Sequence, residues 1–326
     1  MKKIIALSCG SPNGNCETFL RAAAVGAEEF GIETEIIRAM AMKVLPFPGR
    51  PKEDDVNWIL EKTVVEDCAL IVAVPTYYVK ANGILYSISE RMLGLCVRTP
   101  EVLKKTRVGA VIGVGGSGYD SWASLTNIST QIFVQHTRKI VDQIQVNFCG
   151  LREWNLWMQQ GGPLTSHTHL NRIIDTDYKE TRDLWGKQVS AAEFYRMAIE
   201  RAKELGRNVA RAMDKPIEEV EYLGEEAAVS CPLCHSNVLF VPEALPYVGC
   251  PICWIRGVIT VDNGKMKVEW NMKDVELPRF SYEGMLHHME WLRQDGERRQ
   301  QDQKEMDELK NSVLPHGRLI GPEKDI

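Results

Sequence analysis

Residues 8–18 decide the fold, and they read Ser-Cys-Gly-Ser-Pro-Asn-Gly-Asn-Cys-Glu-Thr. The apolar run Ile4–Ser8 predicts a buried strand, and the helical spacing of Thr18–Phe30 follows the turn. A small, Gly-rich turn that opens a helix exposes backbone N–H groups, which suits a phosphate dianion. The stretch lacks the Gly-x-Gly-x-x-Gly spacing and the Walker lysine, so it indicates a monoester phosphate held by neutral donors, with an ordinary turn as the alternative.

Short apolar runs alternate with helical patterns over the first two hundred residues. Further strands are predicted at 34–37, 69–75, 108–114 and 144–149, and helices at 54–66, 83–93, 121–138 and 185–213. Runs of four to seven apolar residues are typical of strands buried on both faces, and the alternation predicts right-handed crossovers. We therefore expect a doubly wound α/β domain with a five-stranded parallel sheet.

Two more loops follow strands at the edge where open α/β sheets bind ligands. After the third strand comes Pro75-Thr76-Tyr77-Tyr78-Val79, whose two tyrosines offer a flat aromatic surface to a planar heterocycle. After the fourth strand comes Gly115-Gly116-Ser117-Gly118, where the backbone can approach a ligand closely. Three strand ends thus converge on one crevice.

Residues 1–214 resemble the flavodoxin-like NADPH-dependent FMN reductases and the related iron-sulfur flavoproteins. The matching residues are Gly10-Ser11-Pro12 and Thr18 in the first loop, and Pro75, Tyr77, Tyr78 and Glu90-Arg91 after the third strand. The resemblance implies a flavodoxin-like fold and FMN as cofactor. It also implies that the FMN phosphate is bound by Ser11, Asn13, Asn15 and Thr18, and that the isoalloxazine ring lies between residues 76–79 and Gly115–Gly118.

The chain departs from that family at three points. Glu17 stands where the family has a neutral polar residue, and a carboxylate beside a phosphate is unfavourable unless it points away. Tyr86 stands where the family has a lysine near the start of the helix that follows the third strand. Between the second and third strands only Cys68 is present, so the cysteine cluster of the iron-sulfur flavoproteins is not expected.

Four cysteines form a double pair, Cys231-Pro-Leu-Cys234 and, fifteen residues later, Cys250-Pro-Ile-Cys253. Two Cys-x-x-Cys turns can close a tetrahedral site of four sulfurs, and a structural zinc ribbon is the favoured interpretation. A rubredoxin-like iron centre is the alternative, although His235 and Trp254 follow the knuckles where rubredoxins favour glycine. The other five cysteines are scattered, which indicates structural thiols in a reducing compartment.

The remaining patterns divide the chain into domains. We expect an FMN-binding domain over 1–214 with an insertion at 150–183, a linker at 215–228, a four-cysteine metal ribbon over 229–275 and a charged helical tail over 276–326. The ribbon includes a hairpin around Asn263-Gly264. The first nine residues contain too short an apolar run for a leader, and no run is long enough for a membrane helix. A cytoplasmic protein is expected.

The resemblance implies an enzyme, an FMN-dependent NAD(P)H oxidoreductase whose acceptor is a quinone, a flavin or an unsaturated or aromatic small molecule. Tyr77, Tyr78, His167 and His169 are the candidates near the reacting face. A homodimer or homotetramer is expected. The net charge of -5 argues against a nucleic-acid partner. Two alternatives remain: an electron carrier relaying charge through iron at the four-cysteine site, and a scaffold with an empty cleft.

Overall fold

The structure is a computed structural model. It describes residues 2–47, 54–77, 80–117, 125–149, 169–171, 173–175, 187–188, 191–224, 226–242, 246–263, 265–276 and 278–313. Residues 1–282 form one compact unit and residues 283–326 form another. The predicted boundaries within the first unit, at 214 and 229, stay predictions.

A parallel sheet lies at the centre of the first unit. Its strands are β1 (Lys3–Ser8), β2 (Glu33–Arg38), β3 (Ala69–Tyr77), β5 (Val108–Ser117), β6 (Lys139–Cys149) and β7 (His169–Asn171), in the spatial order β2-β1-β3-β5-β6-β7. A short β4 (Lys80–Ala81) pairs antiparallel with β3. The order confirms the flavodoxin-like doubly wound fold, and β7, from within the predicted insertion, adds a sixth parallel strand.

Helices cover the sheet where the sequence predicted them, with different ends. They are α1 (Asn15–Glu28), α2 (Val56–Leu60), which continues as a wider π-type turn over Glu61–Val65, α3 (Gly83–Arg98), α4 (Thr126–Gln135) and α5 (Ala191–Met213). Short 3-10 turns lie at Ala39–Ala41, Pro100–Leu103 and Ile217–Glu219. A buried apolar cluster between the sheet, α1 and α5 forms the core, with Phe19, Leu20 and Leu205 fully buried.

Strand β6 begins at Lys139, five residues before its predicted start at Ile144. The prediction started too late because this first half of the strand contains buried polar residues, which interrupt the apolar run. Asp142 is 0% exposed and accepts hydrogen bonds from both terminal nitrogens of Arg201, at 2.9 and 2.5 Å. Asn208 donates a third bond at 2.9 Å. Both partners lie on α5, so this ion pair fixes the last helix on the sheet. A buried charge is tolerated only with such partners.

Helices α1 and α5 cross in backbone contact. A Cβ atom added at Gly26 would lie 2.0 Å from the carbonyl oxygen of Lys203, and one at Gly206 would lie 1.9 Å from that of Ala23. Only glycine allows this approach, since any side chain would force the helices apart. The crossing ties the helix that follows the first loop to the last helix of the domain.

A three-stranded antiparallel sheet lies in the predicted ribbon, and the second cysteine pair falls between its first two strands. It consists of β10 (Val248–Gly249), β11 (Arg256–Asp262) and β12 (Lys265–Trp270), and a short α6 (Met272–Glu276) follows. The predicted hairpin is confirmed, with Asn263 at φ 50° in its turn. A separate pair, β8 (Ile173–Asp175) and β9 (Lys187–Gln188), lies in and just after the predicted insertion.

The last elements in the described part of the chain are two helices, α7 (Tyr282–Gln301) and α8 (Gln303–Val313). They confirm helices within the tail that the sequence predicted over 276–326, although the sequence pattern did not predict the break at Asp302. None of the helices described combines the length and the apolar character needed to cross a bilayer.

Candidate functional site

The first loop presents a helix N-terminus at the carboxyl edge of the sheet. Asn13 adopts the left-handed conformation, at φ 60°, and the Gly14 amide donates to the Ser11 carbonyl at 2.9 Å. Gly14 is the extended N-cap of α1 and supplies no side-chain cap. The Thr18 amide is the one that bonds back to the Gly14 carbonyl, at 2.9 Å. The preceding amides of the first turn have no acceptor within the helix, an arrangement that attracts an anion.

The strand end behind this loop also fits a bound polar group. The hydroxyl of Ser8, the last residue of β1, is buried and has no hydrogen-bond partner in the part of the chain described. A Cβ atom at Gly10 would lie 2.9 Å from Cys16 Sγ, so the loop closes tightly on the helix. Cys9 and Cys16 are buried as packing residues, and burial raises the pKa of Cys16 to about 12.

Glu17, the departure from the family pattern, forms an internal ion-pair cluster. Its side chain is 1% exposed and accepts hydrogen bonds from the Asn13 amide at 2.9 Å and from Arg38 at 2.7 Å. Arg21 lies 2.8 Å from the same carboxylate. These bonds, that of Arg38 above all, lower the pKa of Glu17 to about 2. Two guanidinium groups thus offset the carboxylate charge beside the loop.

The four residues predicted to hold the phosphate all lie in this loop or the first turn of α1, and three have protein partners. Asn13 Oδ1 accepts from Arg38 at 3.2 Å. Asn15 Oδ1 accepts from the Tyr195 hydroxyl of α5. The Thr18 hydroxyl donates to the Gly14 carbonyl at 3.1 Å. The Ser11 side chain is exposed. The backbone amides of the first turn, more than these side chains, define the anion-binding character of the loop.

The second loop lies at the end of β3, which is the neighbour in the sheet of β1, the strand that leads into the first loop. Pro75 is buried, while Tyr77 is 55% exposed and pairs in register with Lys80 of β4. Thr76 and Thr126 share a hydrogen bond of 2.7 Å between their hydroxyls, which joins β3 to the start of α4. Tyr78 and Val79 lie outside the described residues.

The third loop and the histidines are described only in part. Gly115, Gly116 and Ser117 form the last residues of β5, next to β3, while Gly118 lies outside the described residues. His169 begins β7 and pairs with Gln145, which itself pairs with Gly113. At about 4.8 Å per strand, His169 is roughly 10 Å from β5. His167 lies outside the described residues.

Sequence reasoning missed Asn82, which joins the first two loops. Its side chain is 6% exposed, donates to the Cys9 carbonyl at 2.6 Å and accepts from the Leu85 amide at 3.3 Å. It thereby caps α3 and holds the end of β1. The signal that could have found it was an Asn directly before the helical pattern at Gly83, a common N-cap residue.

The four cysteines of the double pair converge in the ribbon. Their Sγ atoms all lie within 4.8 Å of one another, and all four residues are buried: Cys231, Cys234, Cys250 and Cys253. Each knuckle closes with an amide-to-carbonyl bond, His235 to the first cysteine at 2.8 Å and Trp254 to the third at 2.9 Å. The set fits one tetrahedral ion, and the donor set alone suits zinc or iron.

The residues after the knuckles adopt the conformation that glycine favours. His235 lies at φ 59° and Trp254 at φ 61°. The His235 ring stacks on Tyr222, with centroids 3.8 Å apart, and its Nδ1 contacts Glu226. Both residues thus keep the knuckle backbone in this conformation without glycine, so the absence of glycine does not separate zinc from iron.

A parallel sheet in flavodoxin order, with a helix N-terminus and an exposed tyrosine at adjacent strand ends, defines a flavodoxin-like α/β domain. Residues 2–149 match the family described as NADPH-dependent FMN reductase. These residues, just under half of the chain, are therefore similar in sequence to a family of flavin-dependent reductases.

Two solved structures are similar to this chain at low sequence identity, and the first of them shares its fold. A protein described as flavone reductase aligns with a TM-score of 0.69 and 20% identity, over 98% of this chain and all of that one. An NAD(P)H:acceptor oxidoreductase, FerB from Paracoccus denitrificans, aligns with a TM-score of 0.36 and 10% identity, over 65% of this chain and 98% of that one. No curated protein matches the chain significantly.

Proposed function

We propose that the chain binds FMN at the carboxyl ends of β1, β3 and β5 and uses NADH or NADPH to reduce a small-molecule acceptor. The observation that carries the proposal is the family match over residues 2–149, which includes all three of these strand ends. When bound, the flavin supplies the redox chemistry, and the protein binds, orients and shields it.

The first loop is proposed to hold the FMN phosphate. The first-turn amides at Asn15 and Cys16, together with the helix dipole, supply neutral donors for a dianion. Ser11 is the exposed hydroxyl of the predicted set, and Thr18 and Asn15 add oxygen and amide groups once they exchange their present partners. The amide of Asn13 donates to Glu17, so we assign Asn13 the role of shaping the loop.

The second and third loops are proposed to hold the isoalloxazine ring. Residues 76–79 line one side and Gly115–Gly118 the other. The half-exposed ring of Tyr77 supports this, because an aromatic face at a strand end can stack on a planar heterocycle. Thr76 is already fixed by its bond to Thr126, which would keep this side of the crevice in place.

Among the predicted acceptors, an unsaturated aromatic compound is favoured. The neighbour named flavone reductase shares nearly the whole architecture of this chain, and its name refers to such a substrate. We propose that Tyr77 and Tyr78 contact the acceptor. His167 and His169 are proposed to approach the acceptor from the insertion. The placement of His169 supports this, because its backbone lies in β7, which belongs to the same sheet as β5 and is two strands away from it.

We further propose that zinc occupies the four-cysteine centre and stabilises the ribbon, with iron as the alternative. Ferric iron bound by four thiolates absorbs visible light and zinc does not, so the spectrum of the purified protein separates them. A cytoplasmic, homo-oligomeric enzyme is the accompanying expectation, and the oligomeric state is measurable by light scattering.

The test is anaerobic reduction of the FMN-loaded protein by each pyridine nucleotide, followed by reoxidation with quinones, flavins and flavones. A paired variant checks the site itself. Ser11→Asp adds a charge at the helix N-terminus and should weaken FMN binding at least tenfold, or about 1.4 kcal/mol. Thr106→Asp adds the same charge before β5, at the opposite edge, and should leave FMN affinity unchanged. Equal FMN affinity in both variants would refute the proposed phosphate position.

A further inference from the structure

Helix α4 of the α/β domain presents two glutamines to the four-cysteine centre. Gln131 and Gln135 are 1% and 3% exposed, and they are four residues apart, so they share one face of the helix. Gln131 Nε2 lies 2.9 Å from the carbonyl oxygen of Cys234. Gln135 Nε2 lies 3.3 Å from the sulfur of Cys253. The first contact is to a backbone atom, and the second is to one of the four sulfur atoms of the centre.

We infer that Gln135 is a positioning residue of the four-cysteine centre, donating its amide N–H to the metal-bound sulfur of Cys253. The inference rests on the proposed occupation of the four cysteines by a metal ion. It assigns part of that centre to the FMN reductase-like domain, because Gln135 precedes the first ribbon cysteine by almost one hundred residues.

The chemistry of the sulfur fixes the direction of the hydrogen bond. A metal-bound cysteine is a thiolate and carries no proton, so it accepts hydrogen bonds and cannot donate one. The amide oxygen of Gln135 is farther from the sulfur, at 3.7 Å, than the nitrogen at 3.3 Å. The nitrogen is thus placed to donate.

Charge gives the bond its importance. Four thiolates around a divalent ion leave a net charge of -2, and Cys253 is only 2% exposed, so water can offset little of it. The Cys253 amide donates to Cys250 Sγ at 3.3 Å, and Gln135 gives Cys253 a corresponding donor. The α/β domain therefore supplies a hydrogen-bond donor to the sulfur cluster.

The test compares Gln135→Leu with Gln131→Leu in the full chain. Both variants remove a buried amide from the same helix face, but only Gln135 contacts sulfur. Outer donors to metal ligands typically contribute tenfold to hundredfold in metal affinity. We expect Gln135→Leu to lose at least tenfold in Zn²⁺ affinity, measured by chelator competition, and Gln131→Leu to lose less than threefold.

A spectroscopic readout distinguishes this role from simple packing. With Co²⁺ at the four-cysteine centre, Gln135→Leu should shift the sulfur-to-cobalt charge-transfer band, and Gln131→Leu should not. If Gln135→Leu does not fold, Gln135→Asn, which keeps an amide but shortens its reach, takes its place. Equal affinities and equal bands in the two variants overturn the inference, as does a wild-type chain that binds no metal. FMN binding is measured separately, so its failure is distinguishable.

Discussion

Replacing Glu17 with Gln should destabilise the protein in a pH-dependent way. The carboxylate is buried, bonded to the Asn13 amide, and paired with Arg38 and Arg21. Gln can still accept a bond from Asn13, but it carries no charge for the two guanidinium groups. The variant therefore removes the ion pairs while keeping the shape of the side chain.

The magnitude follows from the pKa of Glu17, about 2 against an ordinary 4.5. At 1.36 kcal/mol per pKa unit, that difference corresponds to about 3 kcal/mol. Arg38 and Arg21 are 39% and 60% exposed, so solvent screens the pairs, and we expect about 1–2 kcal/mol. Because the folded-state pKa is lowered, this stabilisation is complete above pH 4.5 and is lost as the pH falls toward 2.

The assay is urea unfolding followed by circular dichroism at several pH values from 7 to 3. The free energy of unfolding of the wild type should exceed that of Glu17→Gln at pH 7, and the difference between the two should shrink steadily below pH 4.5. Glu28→Gln, an exposed position on the same helix, is the matched control and should stay within about 0.5 kcal/mol of wild type. A difference that does not change with pH would refute the ion-pair explanation.

Two further substitutions test the packing and the loops. Gly206→Ala places a methyl group 1.9 Å from the Ala23 carbonyl oxygen. Although alanine favours helices, this variant should lower the free energy of unfolding in urea by about 1–3 kcal/mol. The control is Gly94→Ala, whose Cβ meets only ordinary contacts and which should be neutral or stabilising. A stabilised Gly206→Ala would contradict the close crossing. Asn82→Ala should cost about 2–3 kcal/mol and weaken FMN binding, since it removes a helix cap and the partner of the Cys9 carbonyl. Asn82→Asp should restore the cap but not that bond, and equal losses in both variants would show that the cap contributes nothing.

Local signals in the sequence were sufficient for most of the fold. The apolar run of β1, the Gly-rich turn before α1 and the Cys-x-x-Cys spacing can each be recognised from a few neighbouring residues. The first half of β6 was missed because the polar residue Asp142 interrupts the apolar run from which the strand was predicted. Its partner Arg201 lies 59 residues further along, and no local pattern connects the two.

The same limit applies to the candidate site. Glu17 is unfavourable beside a phosphate when considered alone, and its neutralisation depends on Arg38, 21 residues away at the end of β2. Gln135 could not be linked to the cysteines, because the contact forms only once α4 and the ribbon are packed together. Spacing reveals ligands that lie on one knuckle, whereas partners from distant elements require the three-dimensional structure.

The glycine crossing of α1 and α5 has a consequence for ligand capture. A helix held backbone to backbone against its neighbour has little freedom to rotate or slide, so its N-terminal amides keep one orientation before any ligand arrives. Binding to such a preorganised cradle costs little ordering entropy. Amide exchange along α1 should therefore be slow in the cofactor-free protein already, and addition of FMN should slow it only at the first turn.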